Sequence, residues 1–229
     1  MQSIKQDLEI RCEEVNRVIS YLKHMENGNV EYRTTVEGLT TVKTSIKAGI
    51  VLMLYNAIES TMTKCLVRLH EILITKNLAF NNCNEKLRHL VAVYYENARD
   101  KSANNHSKAS HSLKFYDYIV GVNTFDLSYE DISKFYPLYS GNLDSREIIA
   151  VLEKYGIEFD ERVSELKTIK DYRNKLAHGE NSFEEIGREL TIQQIEHLKG
   201  QTFVYMEKVI TEINKYIVKE RYTNNLNAT

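Results

Sequence analysis

Arg173 and His178 are the residues whose types and spacing most directly suggest chemistry. They lie five positions apart in the run Asp171-Tyr172-Arg173-Asn174-Lys175-Leu176-Ala177-His178-Gly179. Projected at roughly 100° per residue, Val163, Leu166, Ile169, Leu176 and Ala177 fall on one apolar stripe, and Arg173 stands in its middle, in a leucine's place. Asn174 and His178, four apart, are neighbours along one edge of that stripe. Burying a guanidinium costs on the order of several kcal/mol unless a carboxylate or a bound anion compensates it, so this Arg asks for a partner. A scissile phosphate would be one. RNA carries its own nucleophile in the 2′-hydroxyl, so an imidazole to move protons and a guanidinium on the phosphoryl oxygens form a sufficient minimal set, with no metal or other cofactor required. Arg173 offers the planar donor fork that suits phosphate, His178 belongs to the residue type that titrates near neutrality, and Asn174 is placed to orient the imidazole or a substrate oxygen.

Spacing alone does not select this pair. Arg17 with His24 and Arg99 with His106 repeat an Arg followed shortly by a His, but neither sets the Arg in an apolar stripe beside an amide. Local charge favours the third match as well. The chain has 30 Lys and Arg against 32 Asp and Glu, a net charge of −2, so any attraction to nucleic acid must come from a local patch. Lys167, Lys170 and Lys175 surround the motif. Lys170 and Lys175 are candidate phosphate contacts, and Arg188, in the connection that follows, is a third.

The elements that must position these groups read as helices. Nine Gly and one Pro are few for 229 residues, which argues against a turn-rich β fold. Ser3 is placed as the cap of a first helix with Ile4, Leu8, Val15, Val18, Ile19 and Leu22 on one side, closed by Asn27-Gly28. A second, long helix is predicted from about Thr41 to Asn77, apolar round much of its girth between Ile50 and Ile58 and therefore central. Glu59 interrupts that region, as a carboxylate at the solvent edge, as one paired with a neighbouring basic group, or as one facing the site; a pairing with Arg173 would make that Arg a mere tie between helices. A shorter helix follows over Asn84 to Asp100. The polar, aperiodic stretch of residues 100–112 reads as a mobile loop, and its His106 and His111 lack a further metal-ligating residue beside them. Aromatics from Phe115 to Tyr139 read as a roof over the core, with stacking on nucleic-acid bases as the alternative. Asp144 or Ser145 is placed to cap a helix closed by Gly156, Asp160 to cap the motif helix closed by Gly179, and Thr191 to cap a final helix running past Ile217. Residues 223–229 read as a frayed tail.

The expected fold class is all-α, a helical bundle of about five to seven helices with long first, second and last members, in one domain over residues 1–222. Cys12, Cys65 and Cys83 have no metal-ligand spacing and read as reduced, mostly core thiols of a cytoplasmic protein. Nothing resembles a signal peptide, and the most apolar run, Ala48 to Tyr55, is too short to span a bilayer, so no membrane association is expected.

Arg173-Asn174-Lys175-Leu176-Ala177-His178-Gly179 resembles the signature of the HEPN superfamily: Arg, a polar residue, three spacers and His on a bundled helix. The chain also resembles the MAE-type branch of HEPN-like nucleases in Leu54-Tyr55-Asn56-Ala57-Ile58-Glu59-Ser60, in Ser140-Gly141-Asn142-Leu143-Asp144 with Lys154-Tyr155-Gly156, and in Ser182-Phe183-Glu184-Glu185-Ile186-Gly187-Arg188. That resemblance implies a metal-independent endoribonuclease of a toxin–antitoxin or antiviral defence setting, with two protomers facing one RNA-binding cleft and a cognate antitoxin or defence partner in attendance. Arg173 and His178 would be catalytic and Asn174 would support them. The alternative within the same family is an inactive module that dimerises and binds RNA or a partner protein. Some HEPN toxins carry a modifiable tyrosine two places after the His. Here that place is Glu180, which departs from that mode of control.

Overall fold

The computed structural model describes residues 1–28 and 35–224. Among them nine α-helices occur: α1 (Gln2–Glu26), α2 (Val36–Thr75), α3 (Glu85–Asp100), α4 (Asn105–Ile119), α5 (Tyr129–Phe135), α6 (Ser145–Glu153), α7 (Ser164–Ala177), α8 (Phe183–Arg188) and α9 (Ile192–Val218), with a single 3-10 turn at Phe80–Asn82 between α2 and α3. The fold is all-α, as expected, and its first, second and last helices are the long ones. The count exceeds seven because three short or polar helices, α4, α5 and α8, lie where the sequence shows no apolar periodicity long enough to announce them.

Helix α2 is the axis. It packs against α1, α5, α7, α8 and α9, and residues on several of its sides, among them Ile50, Leu54, Ala57, Ile58 and Met62, are completely buried. Its length and mean hydropathy, 1.2 over the most apolar 18 residues, would allow a membrane span, but 56% of that window is buried inside the bundle, which identifies it as the core helix. It begins at Val36, five residues before the expected start, because the Thr35 side chain accepts from the Gly38 backbone N–H and draws that glycine into the first turn. Helix α8 meets α2 almost backbone to backbone: a Cβ on Gly187 would lie 1.9 Å from the Thr44 carbonyl oxygen. Only glycine allows that approach.

Several boundaries differ from expectation for local reasons. The stretch of residues 100–112, expected as a mobile loop, is helical from Asn105 onward, because the Asn104 side chain caps it by accepting from the Ser107 N–H. It is polar because α4 rests chiefly on α3 and the 3-10 turn and, of its described residues, buries only Tyr118. His111 in it sets Nδ1 3.0 Å from the Ser107 carbonyl and 3.1 Å from the Ser102 hydroxyl, ordinary contacts within the fold. Helix α7 starts at Ser164 rather than at Asp160, and its N-cap position, Val163, has no side-chain cap. Met1, not Ser3, precedes α1. Thr223 and Asn224, expected to fray, are held: Thr223 bridges to Cys83, and the Asn224 N–H donates to the Asn82 carbonyl at 2.8 Å. The remainder of the predicted tail, 225–229, lies outside the described residues.

The interior also contains a neutral histidine. His70, 1% exposed, sets Nδ1 2.7 Å from the Leu127 carbonyl and Nε2 2.7 Å from the Tyr155 hydroxyl. Burial pushes its pKa down to about 4. Burial likewise pushes the Cys65 and Cys83 thiols up to about 12, which makes them inert core groups.

Candidate active site

Helix α7 lies on α2 and α9. Leu166 and Ile169 of its apolar stripe are fully buried, while towards the C-terminus the same stripe rises to the surface: Leu176 is half-buried and Ala177 exposed. Arg173 sits where that face emerges. Its guanidinium carbon stands 4.6 Å from the centre of the Tyr55 ring on α2, a cation–π seat that accommodates the charge without neutralising it. Its Nη1 donates to Asn174 Oδ1 at 3.0 Å, and Asn174 Nδ2 donates to Asn142 Oδ1 at 2.9 Å. Both ends of the Asn174 amide are thus engaged in aligning Arg173, rather than in orienting the imidazole.

The second wall is the connection between α5 and α6. Gly141 takes φ +70°, and its carbonyl accepts from the Tyr55 hydroxyl at 2.6 Å, while the Leu143 N–H donates back to that hydroxyl at 3.2 Å. Burial raises the Tyr55 pKa, so the phenol keeps its proton for this bond. A Cβ on Gly141 would lie 3.7 Å from Glu59 Oε1 and 3.9 Å from Arg173 Nη2, so the carboxylate and the guanidinium both approach one point beside this turn. They are close without being bonded: among the described residues no acidic side chain comes within 4.0 Å of Arg173. The idea that Arg173 is a buried structural partner of Glu59 therefore lacks its ion pair.

His178 ends the helix. It occupies the C-cap position, its N–H donating to the Asn174 carbonyl at 2.9 Å, and Gly179 follows at φ +69°. The imidazole is exposed, as are Ala177, Gly179 and Glu180. The last stretch of α7 and its C-cap therefore carry a half-buried, pre-aligned guanidinium and, five residues on, an exposed imidazole.

The three tentative phosphate contacts divide. Lys170 is taken: its Nζ lies 2.6 Å from Asp144 Oδ2, beneath the surface. Asp144, 1% exposed, also caps α6 through the Arg146 and Glu147 N–H groups and meets the Arg146 guanidinium at 3.2 Å. Burial alone would raise its pKa, but Lys170, Arg146 and the cap bonds carry it down to about 2. Arg188 is paired with Glu184 one turn back on α8. Lys175 keeps its charge available, with Nζ 5.8 Å from the centre of the Tyr172 ring.

Tyr55 and Asn142 escaped the chemical reading of the sequence, since a tyrosine in a core helix and an asparagine in a turn are unremarkable by type. Both nonetheless fall inside stretches that resemble the family, Leu54 to Ser60 and Ser140 to Asp144, and the fold brings those stretches together around Arg173. The companion of the second stretch, Lys154-Tyr155-Gly156, is architectural: Lys154 Nζ donates to the Leu138 carbonyl at 3.0 Å, and Tyr155 holds His70. Compared with known families, the chain matches the one described as MAE_28990-like HEPN, over residues 1–222. No curated protein and no solved structure matches it.

Proposed function

The chain belongs to the MAE_28990-like HEPN family, and from that premise and the surroundings of Arg173 we propose that it is an endoribonuclease that cleaves RNA by attack of the 2′-hydroxyl on the adjacent phosphorus. The observation that carries this reading is the state of Arg173: a guanidinium seated on Tyr55, aligned by Asn174 and Asn142, with no carboxylate to neutralise it. Such a group is prepared for an external anion, and its planar fork suits phosphoryl oxygens on which charge accumulates in the transition state. As the 2′-oxygen bonds to phosphorus the P–O5′ bond breaks, and His178 moves the proton from the 2′-hydroxyl to the departing 5′-oxygen, leaving a 2′,3′-cyclic phosphate and a 5′-hydroxyl. The nucleophile belongs to the substrate, so no metal is needed to generate one.

Two protomers form the working unit in this account. The apolar stripe of α7 that surfaces at Leu176 and Ala177 continues across a two-fold contact, so that both motifs face one cleft and each His178 lies near the partner's Arg173. Lys175 widens the positive field, and Arg188 adds to it when it releases Glu184. Unrestrained cleavage of cytoplasmic RNA would slow growth, which calls for a cognate antitoxin or defence-system partner protein.

The test is incubation of the purified protein with RNA in excess chelator. The wild type should cut and leave 2′,3′-cyclic phosphate ends, and His178→Ala should not. Equal cleavage by the two proteins would remove His178 from the chemistry and overturn the assignment.

A further inference from the structure

Beside Arg173, an open groove of about 510 Å³ runs along α2 towards α1, lined by Arg11, Asn56, Glu59, Ser60, Thr63 and Lys64. Glu59 belongs to both places. Its Oε1 lies 3.7 Å from the point beside Gly141 that is 3.9 Å from Arg173 Nη2, and its carboxylate forms no ion pair among the described residues; the Tyr55 hydroxyl that neighbours it already donates to the Gly141 carbonyl at 2.6 Å, and cations line the same groove. Those cations are committed: Lys64 Nζ meets Asp7 at 2.6 Å and Arg11 Nε meets the same carboxylate at 3.0 Å. With both cations held by Asp7, the Glu59 carboxylate is left without a counter-charge on the wall of a groove of nucleotide size.

Resting on the endoribonuclease reading, we infer that this groove is a base-recognition subsite and that Glu59 makes it selective for guanine next to the scissile phosphate. An ionised carboxylate only accepts hydrogen bonds. Guanine is the one RNA base whose Watson–Crick edge presents two adjacent donors, N1–H and the N2 amino group, to two such oxygens. Adenine and cytosine each present one donor beside a ring-nitrogen acceptor, and uracil presents its N3–H between two carbonyls, so all three set a lone pair against the carboxylate. Single-stranded RNA is read on these edges once the base is splayed from the stack. Asn56 and Ser60 border the same space with an amide and a hydroxyl for the remaining base and ribose atoms, while Thr63 is held by the Glu59 carbonyl at 2.9 Å and the Tyr139 hydroxyl at 2.6 Å. Arg11, bonded to Asp7 through Nε alone, has its terminal nitrogens left for the neighbouring phosphate.

The experiment compares cleavage of short oligonucleotides that differ only in the base flanking the cut, with guanine replaced in turn by adenine, cytosine, uracil and inosine, in wild type, Glu59→Gln and His178→Ala. Wild type should prefer guanine by tenfold or more, the discrimination expected of a good bidentate pair. It should lose most of that preference on inosine, which lacks the N2 amino group. Glu59→Gln should cut guanine and inosine substrates alike. Cleavage that depends on His178 but shows no guanine preference in the wild type, or a guanine-over-inosine ratio that Glu59→Gln leaves intact, overturns the subsite while leaving the nuclease reading in place. Cleavage that is the same in wild type and His178→Ala removes both.

Discussion

Lys170 and Arg173 stand one turn apart on α7 and are treated by the fold in opposite ways. Lys170 is given a buried carboxylate, Asp144, at 2.6 Å, and the pair fastens α7 to the start of α6. Arg173 is given an aromatic face and an amide, with no counter-charge. A cation kept for architecture is neutralised at once, because leaving it unpaired beneath the surface would cost on the order of several kcal/mol. One kept for a ligand is held in shape by partners that do not quench it. Both residues are basic and both lie on the inner side of the same helix, so what separates the tie made by Lys170 from the ligand role proposed for Arg173 is the presence or absence of one paired carboxylate.

If that division is real, the two positions must fail differently. The largest effect belongs to His178, which is exposed and touches no core: His178→Ala should lower RNA cleavage by about 10² to 10⁴-fold, as expected for loss of a proton-transfer group, with a thermal midpoint close to that of wild type. Asp144→Ala should reverse the pattern. It leaves Lys170 without its partner and α6 without its cap, so equilibrium denaturation should show a loss of about 3 kcal/mol. Whatever cleavage the folded fraction retains should still depend on His178.

A similar division separates the two histidines, and pH should expose it. His70 stays neutral in the fold, with its pKa held at about 4, while in the unfolded chain it titrates near 6.5. Its contribution is complete above pH 6.5 and is lost progressively as pH falls towards 4, because only the unfolded chain takes up the proton readily. About 3 kcal/mol of stability should disappear over that range. Denaturant midpoints at pH 7 and pH 4.5 check this, and the decline should be much shallower in His70→Gln. Below that range Asp144, held at about 2, adds a second acid-labile step as it takes up its proton. The smallest effects belong to the outer cations. Lys175→Ala should reduce cleavage a few-fold, more strongly at low salt than at high, and Arg188→Ala less, since Glu184 already offsets its charge.

Much of this was legible in the sequence, and the parts that were not share a cause. Helical periodicity in α1, α2 and α9 is long and apolar enough to read directly, and Asn84, Asp144 and Thr191 cap α3, α6 and α9 as their types suggest. The anomaly at Arg173 was visible as an interrupted stripe, and so was its neighbourhood with His178. Helix α4 was hidden because it buries almost nothing, so its residues carry no apolar period. Helix α8 was hidden by its shortness, though Ser182 and Glu185 form a capping box that a closer reading of local signals would detect. The roles of Lys170, Tyr55 and Asn142 could not be read at all. Each depends on a contact between segments far apart in the chain, and residue type does not say which lysine will meet a buried aspartate or which asparagine will reach across to Asn174.

Arg173→Ala tests the central claim most directly when stability and cleavage are measured on the same preparation. The account predicts that cleavage is lost by at least about a hundredfold while the free energy of unfolding changes by no more than about 1 kcal/mol, because the guanidinium is kept for a substrate phosphate and gives the fold only a cation–π contact with Tyr55 and a part-exposed hydrogen bond to its neighbour Asn174. A protein that unfolds several kcal/mol more easily yet still cuts RNA at the wild-type rate would show that Arg173 is an internal tie like Lys170, and would contradict the account.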